Sequence, residues 1–473
     1  MRTTCDCLIF DLGDVLFTWS AETKTTIPPK ILRKILNSAT WFAYEKGELE
    51  EGQVYRAVSE QFGFASEEVS AALQGARDSL QRSSQLVTFI KEIKAARSLK
   101  VYAMSNISAP DWVYLRDKAF PEDWALFDRV FTSAEAHERK PNLGFYQQVL
   151  EATGADPSRT VFVDDKLENV LSARSLGLNA IVFDSPENVI RTVTNYVSDP
   201  LQRASAWLKE NAKRMVSVTD TGVSISENFA QLLILEVTGD RSLVDYVEFP
   251  RLFNFFSGDA AFTTSSFPND LDTTSIGLTL TEHVDYGTKM AIMDEMLEYR
   301  NADGIVTVYF DEGRPRIDPI VCTNVLTFFY KHGRGEELEE TLTWVLAVLD
   351  HRAYLEGTYY YIGGDAFLFF VSRLMGVAPS VKERITFLFR ERVRERFGKE
   401  GDALSLAMRI LAASSVGIRD VVDRDVLLVT QELDGGFPIG WMYRFVNAGI
   451  RIGNRGLATA LAVKAIEVVD EMS

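Results

Sequence analysis

From residue 1 to about 198, short apolar runs alternate with longer amphipathic stretches, a pattern that predicts strands feeding helices around a parallel sheet. The strands fall at Leu8-Ile9-Phe10, 100–105, 129–132, 160–164 and 179–183. Between the first and second of these, residues 31–95 read as a long helical insertion, amphipathic at 86–95, suited to a cap over the sheet edge. After Asp199-Pro200 the alternation stops. A charged amphipathic helix over 202–215 reads as a connector, and from there to residue 473 one helical pattern follows another with short Gly-rich turns. The expected organisation is an α/β domain with a helical cap over 1–198, a connector over 199–215 and an all-α domain over 216–473.

Composition agrees with two packed interiors, since 473 residues exceed what one core usually supports and 46% are hydrophobic. A net charge of −17 argues against nucleic acid or an anionic membrane surface as partner. No run approaches the ~18–20 apolar residues of a membrane span, and the amino terminus lacks the apolar core of a signal peptide. Cys5, Cys7 and Cys322 cannot build a disulfide framework and read as small buried hydrophobes of a reducing, cytoplasmic setting. The four histidines, His137, His283, His332 and His351, show no zinc-ligand spacing.

The segment Asp270-Leu271-Asp272-Thr273-Thr274 sets two carboxylates two positions apart in an apolar, hydroxyl-rich stretch. One reading makes Asp270 a helix cap and puts Asp272 in the first turn, where carboxylates are favoured anyway. The segment also resembles the DxDTT motif of class II terpene cyclases, which protonate an alkene and therefore need a neutral acid in a dry pocket. By that resemblance Asp272 is the proton donor, Asp270 its supporter, and Thr273 and Thr274 the neutral hydroxyls around them.

A second set of motifs belongs to a different family. Leu8-Ile9-Phe10-Asp11-Leu12-Gly13-Asp14 is an apolar strand running into an aspartate and a tight turn. It is followed in order by Met104-Ser105-Asn106, Arg139-Lys140-Pro141 and Val163-Asp164-Asp165. These resemble the four motifs of the haloacid dehalogenase-like (HAD) phosphatases, whose residues converge at the carboxyl ends of parallel strands. The resemblance makes Asp11 the nucleophile that forms an aspartyl-phosphate. Ser105 then binds the phosphoryl oxygens, and Lys140 balances charge. Asp11, Gly13, Asp164 and Asp165 become the positions that hold Mg2+. Gly13 stands where the family usually has a second aspartate that protonates the leaving group; some HAD phosphatases of the sugar-phosphate type carry Gly here, so the change does not by itself abolish activity, and slow, partial or lost hydrolysis stays open. Asp164-Asp165-Lys166-Leu167-Glu168 also spells DDxxE, a class I terpene synthase metal motif, but it follows an apolar strand-like run rather than lying inside a long helix.

The helical half resembles the β-domain of class II terpene cyclases, an (α/α)-barrel. Gln431-Glu432-Leu433-Asp434-Gly435-Gly436-Phe437 is similar to that fold's QxxDGGW repeat, with Phe437 in place of Trp. Aromatic side chains are dense at Phe253, Phe255, Phe256, Tyr359, Tyr360, Tyr361, Phe367, Phe369 and Phe370; most read as core packing. Arg314-Pro315-Arg316 is the best candidate to grip a diphosphate, because guanidinium forks suit phosphate oxygens and proline fixes a loop. Arg251, Lys289 and Arg455 are weaker candidates. The combined chain resembles the drimane-type sesquiterpene synthases. That resemblance implies farnesyl diphosphate as substrate, protonation by Asp272, closure of two rings, and removal of phosphate by the HAD-like domain.

Overall fold

The computed structural model describes residues 4–119 and 121–472. They form two compact units that divide between Ser198 and Asp199. In the first unit, β1 (Cys7–Phe10), β2 (Lys100–Ser105), β3 (Arg129–Thr132), β4 (Thr160–Asp164) and β5 (Asn179–Val182) pair in parallel in the order β3-β2-β1-β4-β5. Both faces of this sheet are covered, which is why its central strands are apolar throughout rather than alternating. Leu8, Phe10, Val101, Val161 and Val163 face a core with Leu86 and Ile90 of helix Ser84–Ala96 and with Val189 and Val193 of helix Pro186–Val197. Cys7, Ile9, Met104 and Phe162 face the opposite core with Phe145, Tyr146 and Val170. The chain leaves β1 to build one side of the sheet and returns to build the other, so β1 and β4 flank a topological switch point, where such sheets bind ligands.

The cap is shorter than the sequence pattern suggests. Helices Pro29–Leu36, Ala39–Glu45, Glu51–Phe62 and Ser66–Asp78 share a separate core of Leu32, Ile35, Trp41, Val54, Val58, Val69 and Leu73. Helix Ser84–Ala96, expected within the insertion, packs on the sheet instead, because Leu86, Val87, Ile90 and Ile93 make one apolar stripe that the sheet covers.

In the second unit, six helices of the described residues form a closed ring: α1 (Asn228–Thr238), α2 (Leu271–Leu280), α3 (Pro319–Lys331), α4 (Gly364–Val377), α5 (Ala403–Ser414) and α6 (Arg455–Glu471). Each packs on the next, and α1 packs on α6. These helices are buried almost all round, as an inner layer must be. Helices Pro200–Glu210, Glu339–Asp350, Pro379–Arg394 and Val421–Thr430 lie against them from outside. The expected connector over 199–215 is thus part of this unit: helix Pro200–Glu210 buries Ala204, Trp207 and Leu208 and packs on α6.

The 431–437 motif makes that attachment. Gln431 Nε2 donates to the carbonyls of Pro200 and Gly435, and Asp434 accepts from Trp207 Nε1 and from both terminal nitrogens of Arg455. Gly435 has a φ of 96°, and a Cβ there would sit 2.6 Å from the Arg203 carbonyl oxygen, so only glycine fits.

One element departs from the helix-only expectation for 216–473. Strands β6 (Ser217–Thr219), β7 (Ser224–Ile225), β8 (Gly440–Phe445) and β9 (Ile450–Asn454) form an antiparallel sheet in the order β8-β9-β6-β7. The aromatic-rich segment Trp441-Met442-Tyr443-Arg444-Phe445 has strand propensity, and Gly449, at a φ of 64°, supplies the turn before β9. No helix among the described residues is long and apolar enough to cross a membrane.

Candidate active sites

Three strand ends define the site of the first unit. Asp11 follows β1, Ser105 ends β2 and Asp164 ends β4, so residues distant in sequence meet at one sheet edge. Lys140, almost fully buried, places Nζ 2.9 Å from Asp11 Oδ1 and 2.6 Å from Asp164 Oδ2, and donates to the Met104 carbonyl at 2.9 Å. Asp164 Oδ1 accepts from the Lys166 amide and from Asn169 Nδ2. Burial pushes the Asp11 carboxyl upward against the opposing pull of Lys140, while the ammonium and these hydrogen bonds hold Asp164 low despite its burial. Carboxylate oxygens of Asp11, Asp164 and Asp165 lie within 4.8 Å of one another, an all-oxygen donor set that fits a hard dication.

Gly13 offers only backbone atoms to this site, and a Cβ there would meet nothing within 4 Å. Its neighbour Asp14 is exposed and has a φ of 57°. Glu45, missed in the sequence, ends a cap helix and accepts from Arg139 Nε at 3.1 Å, one residue from Lys140. Burial raises its carboxyl to about 7 against the opposing Arg139 charge.

The site of the second unit is built around the start of α2. Asp270 is the helix cap, accepting the Thr273 amide on Oδ1 at 2.6 Å, while its Oδ2 is buried without a hydrogen-bond partner. Asp272 lies in the first turn, buried. Its Oδ1 accepts from Asn324 Nδ2 at 2.7 Å, and its Oδ2 accepts from the Tyr361 hydroxyl at 2.5 Å. Desolvation pushes Asp272 up to about 8, and the nearby Asp270 pushes the same way, against both hydrogen bonds. Burial raises Asp270 to about 6, opposed by the Thr273 amide. The capping and acid readings of this motif are therefore compatible: capping fixes the turn, and burial shifts Asp272 toward its protonated form. Thr274 has a different job from the one expected, because its hydroxyl is committed to the backbone N–H and carbonyl of Phe253.

Asp270, Asp272 and Thr273 line a cavity of about 650 Å³. Phe229, Phe255, Phe267, Tyr309 and Tyr443 supply much of its aromatic wall, and Arg314, Arg316 and Arg444 supply cationic groups. Arg314 pairs with Asp311 at 3.3 Å, and Arg316 lies 4.5 Å over the Tyr359 ring with no carboxylate at ion-pair distance among the described residues. Arg444, on β8, was missed in the sequence; its guanidinium donates to the carbonyls of Thr358 and Tyr359. The weaker candidates are engaged elsewhere: Arg251 with Glu295, Arg455 with Asp434, and Lys289 with the Thr281 carbonyl.

Comparison with known proteins places both halves. Residues 201–332 match the sesquiterpene cyclase astC-like C-terminal domain, and residues 123–183 match the haloacid dehalogenase-like hydrolases. The drimenol cyclase drtB of Aspergillus calidoustus is 44% identical over 97% of this chain and 87% of its own length. The sesquiterpene phosphatase astK of Aspergillus oryzae is 38% identical over 38% of this chain and 89% of its own. A solved structure of a predicted HAD-like hydrolase from Porphyromonas gingivalis is 23% identical, covers 42% of this chain and all of its own, and has a TM-score of 0.36.

Proposed function

The chain belongs to the family of the drimenol cyclase drtB, and from that premise we propose that it cyclises farnesyl diphosphate to a drimane-type diphosphate and then removes phosphate from the product. The observation that carries the reading is Asp272, a buried carboxyl hydrogen-bonded to Tyr361 and Asn324 in an aromatic cavity that also bears three arginines. Asp272 gives its proton to the terminal double bond of the substrate. The electron pairs of the remaining double bonds then close two rings in turn, and loss of a proton from the bicyclic cation restores one double bond. Aromatic faces stabilise the travelling charge, and the cavity keeps nucleophilic water away from it. Arg314, Arg316 and Arg444 hold the diphosphate, an anchor that limits the motion of a flexible apolar chain.

In the HAD-like unit, an Asp11 oxygen attacks the terminal phosphorus, the bond to the bridging oxygen breaks, and water later cleaves the aspartyl-phosphate to release inorganic phosphate. Ser105 binds phosphoryl oxygens, and Lys140 fixes Asp11 and Asp164. Mg2+, held by Asp11, Asp164 and Asp165, would offset the negative charge that carboxylates and phosphate bring together. Each cycle removes one phosphate, so two cycles give the alcohol. Gly13 provides no carboxyl to protonate the leaving group, which supports hydrolysis as the slower activity. The three cysteines are buried thiols outside any disulfide, in keeping with a cytoplasmic setting. Incubation with farnesyl diphosphate and Mg2+, extracted with and without added phosphatase, tests the reading: a bicyclic product is expected in both, and its absence from both would overturn it.

A further inference from the structure

Behind the acid, an interaction chain runs across the helix ring. Asn324 on α3 gives Nδ2 to Asp272 Oδ1 at 2.7 Å, and its Oδ1 accepts from Arg373 Nη1 on α4 at 2.6 Å. Arg373 is itself forked onto Glu236 of α1, Nε to Oε2 at 2.8 Å and Nη2 to Oε1 at 2.7 Å. None of these three residues belongs to a motif, and Asn324 is buried. We propose that Arg373, held by Glu236, is a positioning residue that locks the Asn324 amide in one orientation and so dictates which oxygen of Asp272 carries the catalytic proton. This rests on the reading of Asp272 as the acid.

The argument is one of donors and acceptors. A guanidinium has only donors, so the Asn324 atom facing it must be the carbonyl oxygen. The amide N–H then has to point at Asp272 Oδ1, and that oxygen cannot hold a hydrogen on the same side. The proton is left to Oδ2, whose remaining lone pair accepts from the Tyr361 hydroxyl. When Oδ2 gives its proton to substrate, the Tyr361 hydroxyl goes on donating to it, and both carboxylate oxygens are then hydrogen-bonded. Without the lock, the amide could rotate and offer its carbonyl to Asp272. That arrangement favours the protonated acid over the carboxylate and makes Asp272 a poorer donor.

Other groups reach Asp272 as well: Asp270 from its own helix turn, Asp318 and Cys322 from the start of α3, and Tyr361 and Tyr443 from the segments packed against it. The test therefore compares variants in which all of these stay in place. Cyclisation of farnesyl diphosphate is followed against pH for wild type, Arg373→Met, Arg373→Lys, Asn324→Leu and the Arg373→Met/Asn324→Leu double variant. Cyclisation by wild type establishes the underlying reading before any variant is compared. Arg373→Met should lower kcat on the order of 10- to 100-fold with little change in KM, and should move the alkaline limb of the profile to higher pH. Arg373→Lys, which still donates to the Asn324 oxygen, should leave the limb near its wild-type position. The double variant should place the limb where Asn324→Leu alone does, because Arg373 acts only through that amide. A limb unmoved by Arg373→Met, or a further displacement in the double variant, would overturn the proposal even with wild-type cyclisation intact.

Discussion

Tyr361 meets Asp272 from a segment 89 residues further along the chain, with its hydroxyl 2.5 Å from Asp272 Oδ2. Tyr361 stands just before α4 and Asp272 in the first turn of α2, so closing the helix ring is what brings them together. Tyrosine suits this place because its hydroxyl donates to Asp272 Oδ2, whereas its ring belongs to the apolar wall. The pair links the fold directly to the proposed proton donor.

Replacing Asp272 with Asn should remove cyclisation while the protein stays folded, since the amide keeps the shape but has no acidic proton. A loss of about 1,000-fold or more is expected, measured as bicyclic product by gas chromatography beside a thermal melt. Near-wild-type product would refute the assignment.

The same substitution has a pH-dependent effect on stability. Burial raises Asp272 to about 8 in the folded protein, so folding favours the protonated form. That contribution is complete below the ordinary carboxyl range and is lost as pH climbs from there through about 8. Asn cannot ionise. The melting temperature of Asp272→Asn relative to wild type should therefore increase between pH 5 and pH 9, and a constant difference would show that Asp272 is not buried in its neutral form. Wild-type cyclisation should decline over the upper part of that range, as the acid ionises.

Arg314→Ala with Arg316→Ala should raise KM for farnesyl diphosphate by about 10-fold per arginine, the order expected for a charge-assisted hydrogen bond, without changing product identity. Arg444→Ala should act in the same direction. Steady-state kinetics with product analysis checks all three, and an unchanged KM would return these residues to an ordinary surface role.

Asp11→Ala or Asp165→Ala should leave ring closure intact and cause the cyclised diphosphate to accumulate, because the diphosphate anchors the substrate during cyclisation and is removed afterwards. Phosphorus NMR of the unextracted reaction reads the phosphorylation state directly. Release of the wild-type phosphorylation state by both variants would make the HAD-like site idle.

Legibility in the sequence follows chain separation. The sheet strands, with Asp11, Ser105 and Asp164 at their ends, can be placed because each lies in a short local motif, as does Lys140 in the loop after β3, and so can the Asp270/Asp272 pair. Asn324, Arg373 and Arg444 cannot, and Tyr361 is visible only as one of a run of aromatics, because each acquires its role only through contacts with residues far along the chain. Helix Ser84–Ala96 shows the same limit: its apolar stripe predicts a helix but not which core covers it. The β8–β9 hairpin escapes a sequence reading although Trp441 to Phe445 is aromatic-rich, because helical neighbours on both sides dominate the pattern.

Because α1 packs on α6, the cyclase ring is closed by a segment that ends at Glu471. During synthesis, the sheet of the HAD-like unit can be complete once residue 198 has emerged from the ribosome. The cavity that includes Tyr443 and Arg444 has to wait for β8 and then α6. A nascent chain thus exposes a half-built, aromatic-lined trough for the interval between the two events.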